Sequence, residues 1–420
     1  MKKRYYYGID RSVVDENVIS LFKLSTKEIS YSKRKKADVY NFVGFIFDND
    51  KVLVIFPKHY AEQSYIDMLN SSHEESSKDI QLLYNVIKKY DETTKTSAIA
   101  QKYIGPDDSY DSDYPFAPFY SIYEYYKRYG FYKEAESTVV KGSKGKVSWK
   151  DTIKKSQKVV SDDNLLFLPL YVKKKNYRNV FITECMAFVI DYTLESFQSF
   201  FSMRKTGMVK NKFDYLKNID YVICELRDSS NFVFKDIHKK LIRDLIDFFE
   251  QYKYKNGKGG SIHVKIDYFD LIWQEMVNQY LNRHFIGVNA AGDDLNFDIT
   301  LTKSAVPFSV MEYKDIDTSP HCFSIKIDHI ALTGSELFIF DSKYYDEVYQ
   351  LNYKQFSYNE LLRYRYPSVK TIINALILPG KGGSKIHFEM AASYQGPRKD
   401  GSKIIEYYIE PKKIMQDYLK

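Results

Sequence analysis

Two closely spaced strand-like runs constrain this chain most. Phe323-Ser-Ile-Lys-Ile-Asp328-His-Ile-Ala-Leu332 and Glu336-Leu-Phe-Ile-Phe-Asp341-Ser-Lys343-Tyr-Tyr345 are separated only by Thr333-Gly-Ser335. Runs rich in Ile, Phe and Tyr around a short Gly-containing turn read as strands. Glu347 to Tyr366 follows, helical at least from Asn352, and then the apolar strand Thr371 to Leu378, closed by Pro379-Gly-Lys-Gly-Gly383. Upstream, Tyr268 to Arg283 reads as a helix with Leu271, Ile272, Val277 and Leu281 near one face. Strands are expected at Phe297 to Leu301 and Phe308 to Tyr313. The order is helix, strands, helix, strand.

Strand side chains alternate with period two. Asp341 and Lys343 therefore project from one face of their strand while Ser342 points to the other. Asp328 ends the preceding run, which places a second carboxylate beside this pair. Asp328 and Asp341 suit one or two hard cations such as Mg2+, which prefer carboxylate oxygens and retained waters; Mn2+ is an expected substitute. Lys343 is suited to orient or help deprotonate an attacking water and to balance charge on a phosphodiester. Glu275, within the upstream helix, is expected to complete the metal shell.

Asp-x-Lys or Glu-x-Lys is a short pattern and occurs three times, at Glu312-Tyr-Lys314, Asp341-Ser-Lys343 and Glu410-Pro-Lys412. The last contains a proline and lacks strand context. The first has Asp298 upstream but runs into the turn-rich Asp315-Ile-Asp-Thr-Ser-Pro320, whereas Lys343 is followed by the helix and strand. The context selects Asp341 and Lys343. A strand-end ion pair without chemistry is the competing structural interpretation. His284, His321 and His329 have no spacing that makes a metal triad, and His329 is expected to be structural.

At 420 residues with 44% hydrophobic content the chain is globular and long enough for two or three cores. The 62 Lys and Arg against 55 Asp and Glu give a formal charge of +7, a surplus that matters only where it clusters. Lys33-Arg34-Lys35-Lys36 is one cluster, readable as a phosphate-contacting patch or as a solvated loop. Lys144 and Lys146 sit in the basic, glycine-rich Lys141 to Lys150 segment. That segment is either a DNA-facing hairpin or a hairpin leading into a helix capped near Ser148, and it lacks the ending of a phosphate-binding P-loop. The 39 tyrosines can stack on bases or simply pack. Cys185, Cys224 and Cys322 are too scattered for a zinc site or a disulfide framework. With no signal-like or membrane-length apolar run, a reducing, soluble, cytoplasmic setting is expected.

The sequence thus reads as an α+β multidomain protein. Residues 1–91 form a β-rich N-terminal domain, with apolar runs Val39 to Phe47 and Lys51 to Pro57 joined by Asp48-Asn-Asp50, and a helix from Ser77 to Tyr90. Residues 92–260 are mainly helical, with helices at Phe119 to Tyr129, Phe181 to Phe201 and Lys235 to Tyr252. Gly105 to Pro115 is an acidic turn without the ligand spacing of a calcium loop. Asn256-Gly-Lys-Gly-Gly260 is a linker, and 261–420 is a C-terminal domain with a mixed sheet flanked by helices.

The element order with Asp…Asp-x-Lys resembles the PD-(D/E)xK nuclease core. Ile327-Asp328-His-Ile, Phe338-Ile-Phe-Asp341-Ser-Lys343-Tyr-Tyr345 and Lys354-Gln355-Phe-Ser-Tyr358 resemble the nuclease end of LlaJI and McrC-like restriction endonuclease subunits. Trp273-Gln-Glu275-Met resembles their acidic helix, and Phe42-Val-Gly-Phe-Ile with Val54-Ile-Phe-Pro57-Lys58 their early hairpin. Ile327 replaces the family's Pro, Ser342 its Ala, and the Gln355 to Tyr358 spacing departs from Gln-x-x-x-Tyr. The resemblance implies a Mg2+-dependent endodeoxyribonuclease acting on double-stranded DNA in phage defence, with Gln355 and Tyr358 facing the site or the DNA. It further implies a separate McrB-like AAA+ GTPase partner, consistent with the lack of a nucleotide-binding motif here, with residues 92–260 as the region for partner docking or DNA contact. A self-sufficient type II restriction endonuclease and a non-catalytic DNA-binding adaptor with a relic core are the competing readings.

Overall fold

A computed structural model describes residues 3–96, 110–161, 164–178, 180–208, 213–256, 261–319, 321–394 and 402–420. Most of the expected linker, from residue 257 to 260, and residues 105–109 of the acidic turn lie outside these. The chain forms two compact units, one of residues 1–112 with 260–420 and one of 113–259. The contacts thus divide the chain differently from the composition, which suggested boundaries at 91 and 260.

The reason is a strand at the start of the C-terminal segment. In the first unit β1 (Arg4–Ile9), helix α1 (Glu16–Phe22), the β2–β3 hairpin (Ile29–Ser32, Ala37–Tyr40) and the β4–β5 hairpin (Val43–Asp48, Lys51–Phe56) precede α2 (Gln63–Ser72) and α3 (Ser77–Thr96). After β6 (Tyr110–Ser112) the chain leaves this unit and returns as β12 (Ile262–Ile266), giving a sheet ordered β1-β5-β4-β12-β6. β1 runs parallel to β5 and the other pairs are antiparallel. Gly44 explains the close approach of β12. Its φ is +137°, and a Cβ there would stand 2.3 Å from the Val264 carbonyl oxygen. Lys265 on β12 is buried, with its ammonium 2.9 Å from the equally buried Glu28 carboxylate. Phe22, Tyr40, Phe42, Ile46, Leu53 and Ile55 form the core beneath.

The rest of this unit is the expected C-terminal α+β body. Helix α9 (Phe269–His284) leads to the β13–β14 hairpin (Phe285–Val288, Leu295–Phe297), β15 (Ser309–Tyr313), β16 (Ile325–Thr333) and β17 (Glu336–Ser342). Then come α10 (Tyr353–Arg365), β18 (Thr371–Pro379), β19 (Gly383–Glu389), β20 (Lys403–Ile409) and α11 (Pro411–Tyr418). The six-stranded mixed sheet has the order β15-β16-β17-β18-β20-β19. β17, β18 and β20 are parallel neighbours, and the outer pairs are antiparallel. Period two divides its faces. Leu337 and Ile339 pack with Tyr358 and Leu362 of α10. Phe338 and Phe340 pack instead against Phe285 and Phe308.

The second unit contains α4 (Phe116–Tyr129), β7 (Glu134–Lys141), β8 (Lys146–Val147), α5 (Trp149–Lys155), β9 (Gln157–Ser161), β10 (Asn164–Leu168), β11 (Tyr171–Arg178), α6 (Phe181–Ser196), α7 (Ile219–Ser230) and α8 (Asp236–Asn256). Its helical core is aromatic, with Tyr114, Phe116, Phe119, Phe197 and Phe248 buried. Of the strands β7 to β11 the sequence pointed only to a hairpin within Lys141 to Lys150, and the structure sets β7 and β8 on either side of β11 instead. Lysines at 141, 146, 158, 173 and 174 interrupt the apolar alternation that marks a strand.

Candidate active site

β16 and β17 pair antiparallel with His329 opposite Phe340, so their ends bring Asp328 next to Asp341. The Ser342 amide donates to Asp328 Oδ2 at 3.3 Å. Asp341 is 1% exposed, and its Oδ1 accepts no hydrogen bond. The Lys343 ammonium lies 2.7 Å from Asp341 Oδ2. Burial, followed by the neighbouring Asp328, raises the Asp341 pKa to about 7 against the opposing pull of Lys343. One lysine therefore does not compensate two adjacent carboxyl groups. The arrangement suits an additional cation, and a hard divalent ion with oxygen ligands fits the donor set.

The other face of β17 fixes the backbone. His329 is buried, its Nε2 lies 2.6 Å from the Ser342 hydroxyl, and burial lowers its pKa to about 3. Burial thus favours the neutral imidazole.

Glu275 is elsewhere. The Trp273 indole donates to the Ile377 carbonyl, and Ile377 stands in register with Ser342. This docks α9 on β18 beside the site strand. Glu275 accepts from Gln279 at 2.9 Å, and burial raises its pKa while the charge of Lys89 lowers it. Its charge also acts on Tyr90 and Tyr418. Helical position alone did not reveal which face α9 presents. Among the described residues no group of three or more His, Cys, Asp and Glu side chains is arranged to hold a metal. Asp328 and Asp341 remain as a pair.

Gln355 is fully buried. Its amide nitrogen donates to the Ile339 carbonyl at 2.7 Å and to the Asn374 side chain, clamping α10 to β17 and β18. Tyr358 is 4% exposed and donates to the Lys326 carbonyl at 2.8 Å. Both tie α10 to the sheet that carries Asp328 and Asp341. Lys354, which sequence reasoning passed over, lies one turn before Tyr358 with its ammonium 5.4 Å from that ring centre. Burial lowers its pKa, but the charges of Asp341 and Asp328, with Tyr358, bring it above the ordinary lysine value. The Lys354-Gln-Phe-Ser-Tyr358 spacing was the available signal.

A cleft of about 610 Å³ opens beside Lys343, lined among others by Asp10, Arg11, Lys58, Asp270 and Tyr344. Lys58 donates from its amide to the Tyr344 hydroxyl at 2.7 Å and from Nζ to the Tyr344 carbonyl at 2.9 Å. The β5 exit thereby grips the residue after Lys343. Asp10 is pushed up to about 6 by burial, with Lys58 and Arg11 opposing.

Lys33 to Lys36 form the β2–β3 turn. Arg34 lies over the Tyr349 ring at 4.8 Å and 3.8 Å from Glu347, while Lys35 donates to the Arg11 carbonyl. Lys33 and Lys36 are exposed. In the second unit Lys144 lies in the turn before β8, and Lys146 faces Lys173 across the β8–β11 pair. The expected hairpin is not formed, because β7 and β8 each pair with β11 and not with one another; β8 leads into α5 with Ser148 at its N-cap, and the Ser148 hydroxyl donates to Asp151 at 2.7 Å. Of the rival pattern, Glu312 accepts from Ser324, and Asp298 accepts from the amide and hydroxyl of Thr300 in a local turn.

Comparison with protein families matches residues 42–386, most of the chain, to a group of restriction endonucleases. The chain belongs to that group, the LlaJI restriction endonuclease family. Comparison with curated proteins finds no match. Among solved structures, it is similar to a chain of the refined half-complex from the tetradecameric assembly of Thermococcus gammatolerans McrB AAA+ hexamers with bound McrC. That likeness is 12% identical with a TM-score of 0.35, covering 99% of this chain and 98% of the other. A chain of the Thermococcus gammatolerans McrBC complex is 11% identical with a TM-score of 0.19, covering 61% of this chain and 87% of the other. No helix among the described residues is long and apolar enough to cross a membrane.

Proposed function

We propose that the chain is the DNA-cutting subunit of a restriction system, a Mg2+-dependent endonuclease with a PD-(D/E)xK core. The observation that carries this reading is the meeting of Asp328, Asp341 and Lys343 at one sheet end in a member of a restriction endonuclease family. Asp328 and Asp341 are the residues to hold the ion, and Mn2+ is expected to substitute. When bound, the ion supplies a Lewis acid that polarises the scissile phosphate and lowers the pKa of a coordinated water. The Ser342 amide orients Asp328, and His329 fixes Ser342 from the opposite face. Lys343 presents its ammonium to the attacking water and to the charge that builds on the phosphate oxygens. Lys33, Lys36, Lys144 and Lys146 are candidates for DNA backbone contacts, which make affinity fall with salt.

The resemblance of both chain ends to McrC-like subunits supports a McrB-like AAA+ GTPase as partner. Incubating the purified chain with double-stranded DNA and Mg2+, with and without such a partner and GTP, tests both parts. Cutting only in the full mixture supports the partnered reading, whereas cutting by the chain alone assigns a self-sufficient enzyme. Wild-type cleavage by Lys343→Ala in the active mixture would exclude this site.

A further inference from the structure

A second ammonium approaches the carboxylate pair from the helix side. Asp341 shares its sheet face with Leu337 and Ile339, the face that packs on Tyr358 and Leu362 of α10. Lys354 precedes Tyr358 by four residues, so the two occupy one stripe of the helix. The Tyr358 hydroxyl is tied to β16 through Lys326, and Gln355 is tied to β17 and β18. The base of Lys354 is held from two directions. Its head rests over the Tyr358 ring, and the residue is exposed. Lys343, in contrast, is engaged with Asp341 at 2.7 Å.

We propose that Lys354 is a catalytic residue that contacts the non-bridging oxygens of the scissile DNA phosphodiester from the α10 side, opposite the Lys343 strand end. This assignment rests on the nuclease reading above. A structural counter-charge for the carboxylates is the alternative role. The two differ because only a phosphate-bound ammonium replaces DNA counterions. The lysine also supplies positive charge where the transition state gathers negative charge.

The test uses the full-length chain, with its GTPase partner and GTP wherever cleavage requires them. Duplex binding is measured by fluorescence anisotropy in Ca2+ over a series of salt concentrations, and single-turnover cleavage is measured in Mg2+. For Lys354→Ala, the slope of log affinity against log salt becomes shallower by about 0.9, the value for one phosphate contact. Cleavage falls by about 10²- to 10³-fold. Lys354→Arg, which keeps the charge, restores the slope and part of the rate. An unchanged slope or a wild-type cleavage rate for Lys354→Ala overturns the proposal. A wild-type protein that cuts under no metal or partner condition overturns the nuclease reading instead, and the binding slopes then still decide whether Lys354 meets phosphate. Unchanged thermal unfolding of the Lys354 variants keeps misfolding out of the comparison.

Discussion

Replacing Asp341 with Asn should stabilise the metal-free protein as pH rises, while removing its proposed metal ligand. Burial and the adjacent Asp328 hold the folded-state pKa near 7, whereas an unfolded aspartate titrates near 3.9. Between these values the folded state binds more protons than the unfolded state, so wild-type stability falls as pH rises. Each pH unit in that window costs about 1.4 kcal/mol. From pH 5 to pH 8 the expected loss relative to Asp341→Asn is about 3 kcal/mol, nearly all of it complete by pH 7. Urea unfolding in EDTA at pH 5, 6, 7 and 8 measures this divergence. Saturating Mg2+ should return about 3 kcal/mol to wild type at a hundredfold excess over its dissociation constant, and little to the variant. Parallel stability curves in EDTA, or a wild type that gains on the variant as pH rises, would refute the electrostatic account of the site.

The same proton should compete with metal. Below about pH 7, Mn2+ affinity measured by titration calorimetry is expected to fall about tenfold per pH unit, and to level off above it. Gln355→Ala removes the amide that binds the Ile339 and Ala375 carbonyls and should cost about 3 kcal/mol in urea unfolding. A loss below about 0.5 kcal/mol would instead mark a dispensable contact. Glu28→Ala removes the 2.9 Å partner of the buried Lys265 ammonium and leaves Asp267 at 3.5 Å, and a loss of about 3–5 kcal/mol is expected. Lys265→Met combined with Glu28→Met should recover most of it, because the charge and its partner leave together.

The elements around the site were legible where periodicity was strong. Apolar runs announced β16, β17 and β18, helical spacing announced α9, and α10 was expected from Asn352, each to within a few residues. Spacing could also place Asp341 and Lys343 on one face, because the period of a strand is intrinsic to its backbone. It could not show which neighbour covers each face. That information comes from sheet pairing and helix packing, which turn Glu275 toward Lys89 and Tyr418 and bury Gln355 against the sheet. Lys354 had no distinguishing composition among so many lysines. Its four-residue spacing to Tyr358 put both on one stripe of the helix, and the tie of Tyr358 to β16 places that stripe beside the carboxyl pair. Domain boundaries failed to follow composition for the same reason. A five-residue strand, β12, commits the C-terminal segment to a sheet begun more than two hundred residues earlier.

The pairing of β6 with β12 has a consequence for how such a chain can vary. Ser112 and Val264 are cross-strand partners, so the backbone exits and re-enters the first unit at points separated by about 5 Å, one inter-strand spacing. The intervening unit is thus an insertion whose two ends are joined as closely as those of a hairpin. The surrounding sheet imposes almost no requirement on its length or content. Exchange of residues 113–259 for another body, or for a tight turn, is topologically a loop replacement. The carboxylate pair and its lysines can therefore be inherited intact while the inserted body diverges.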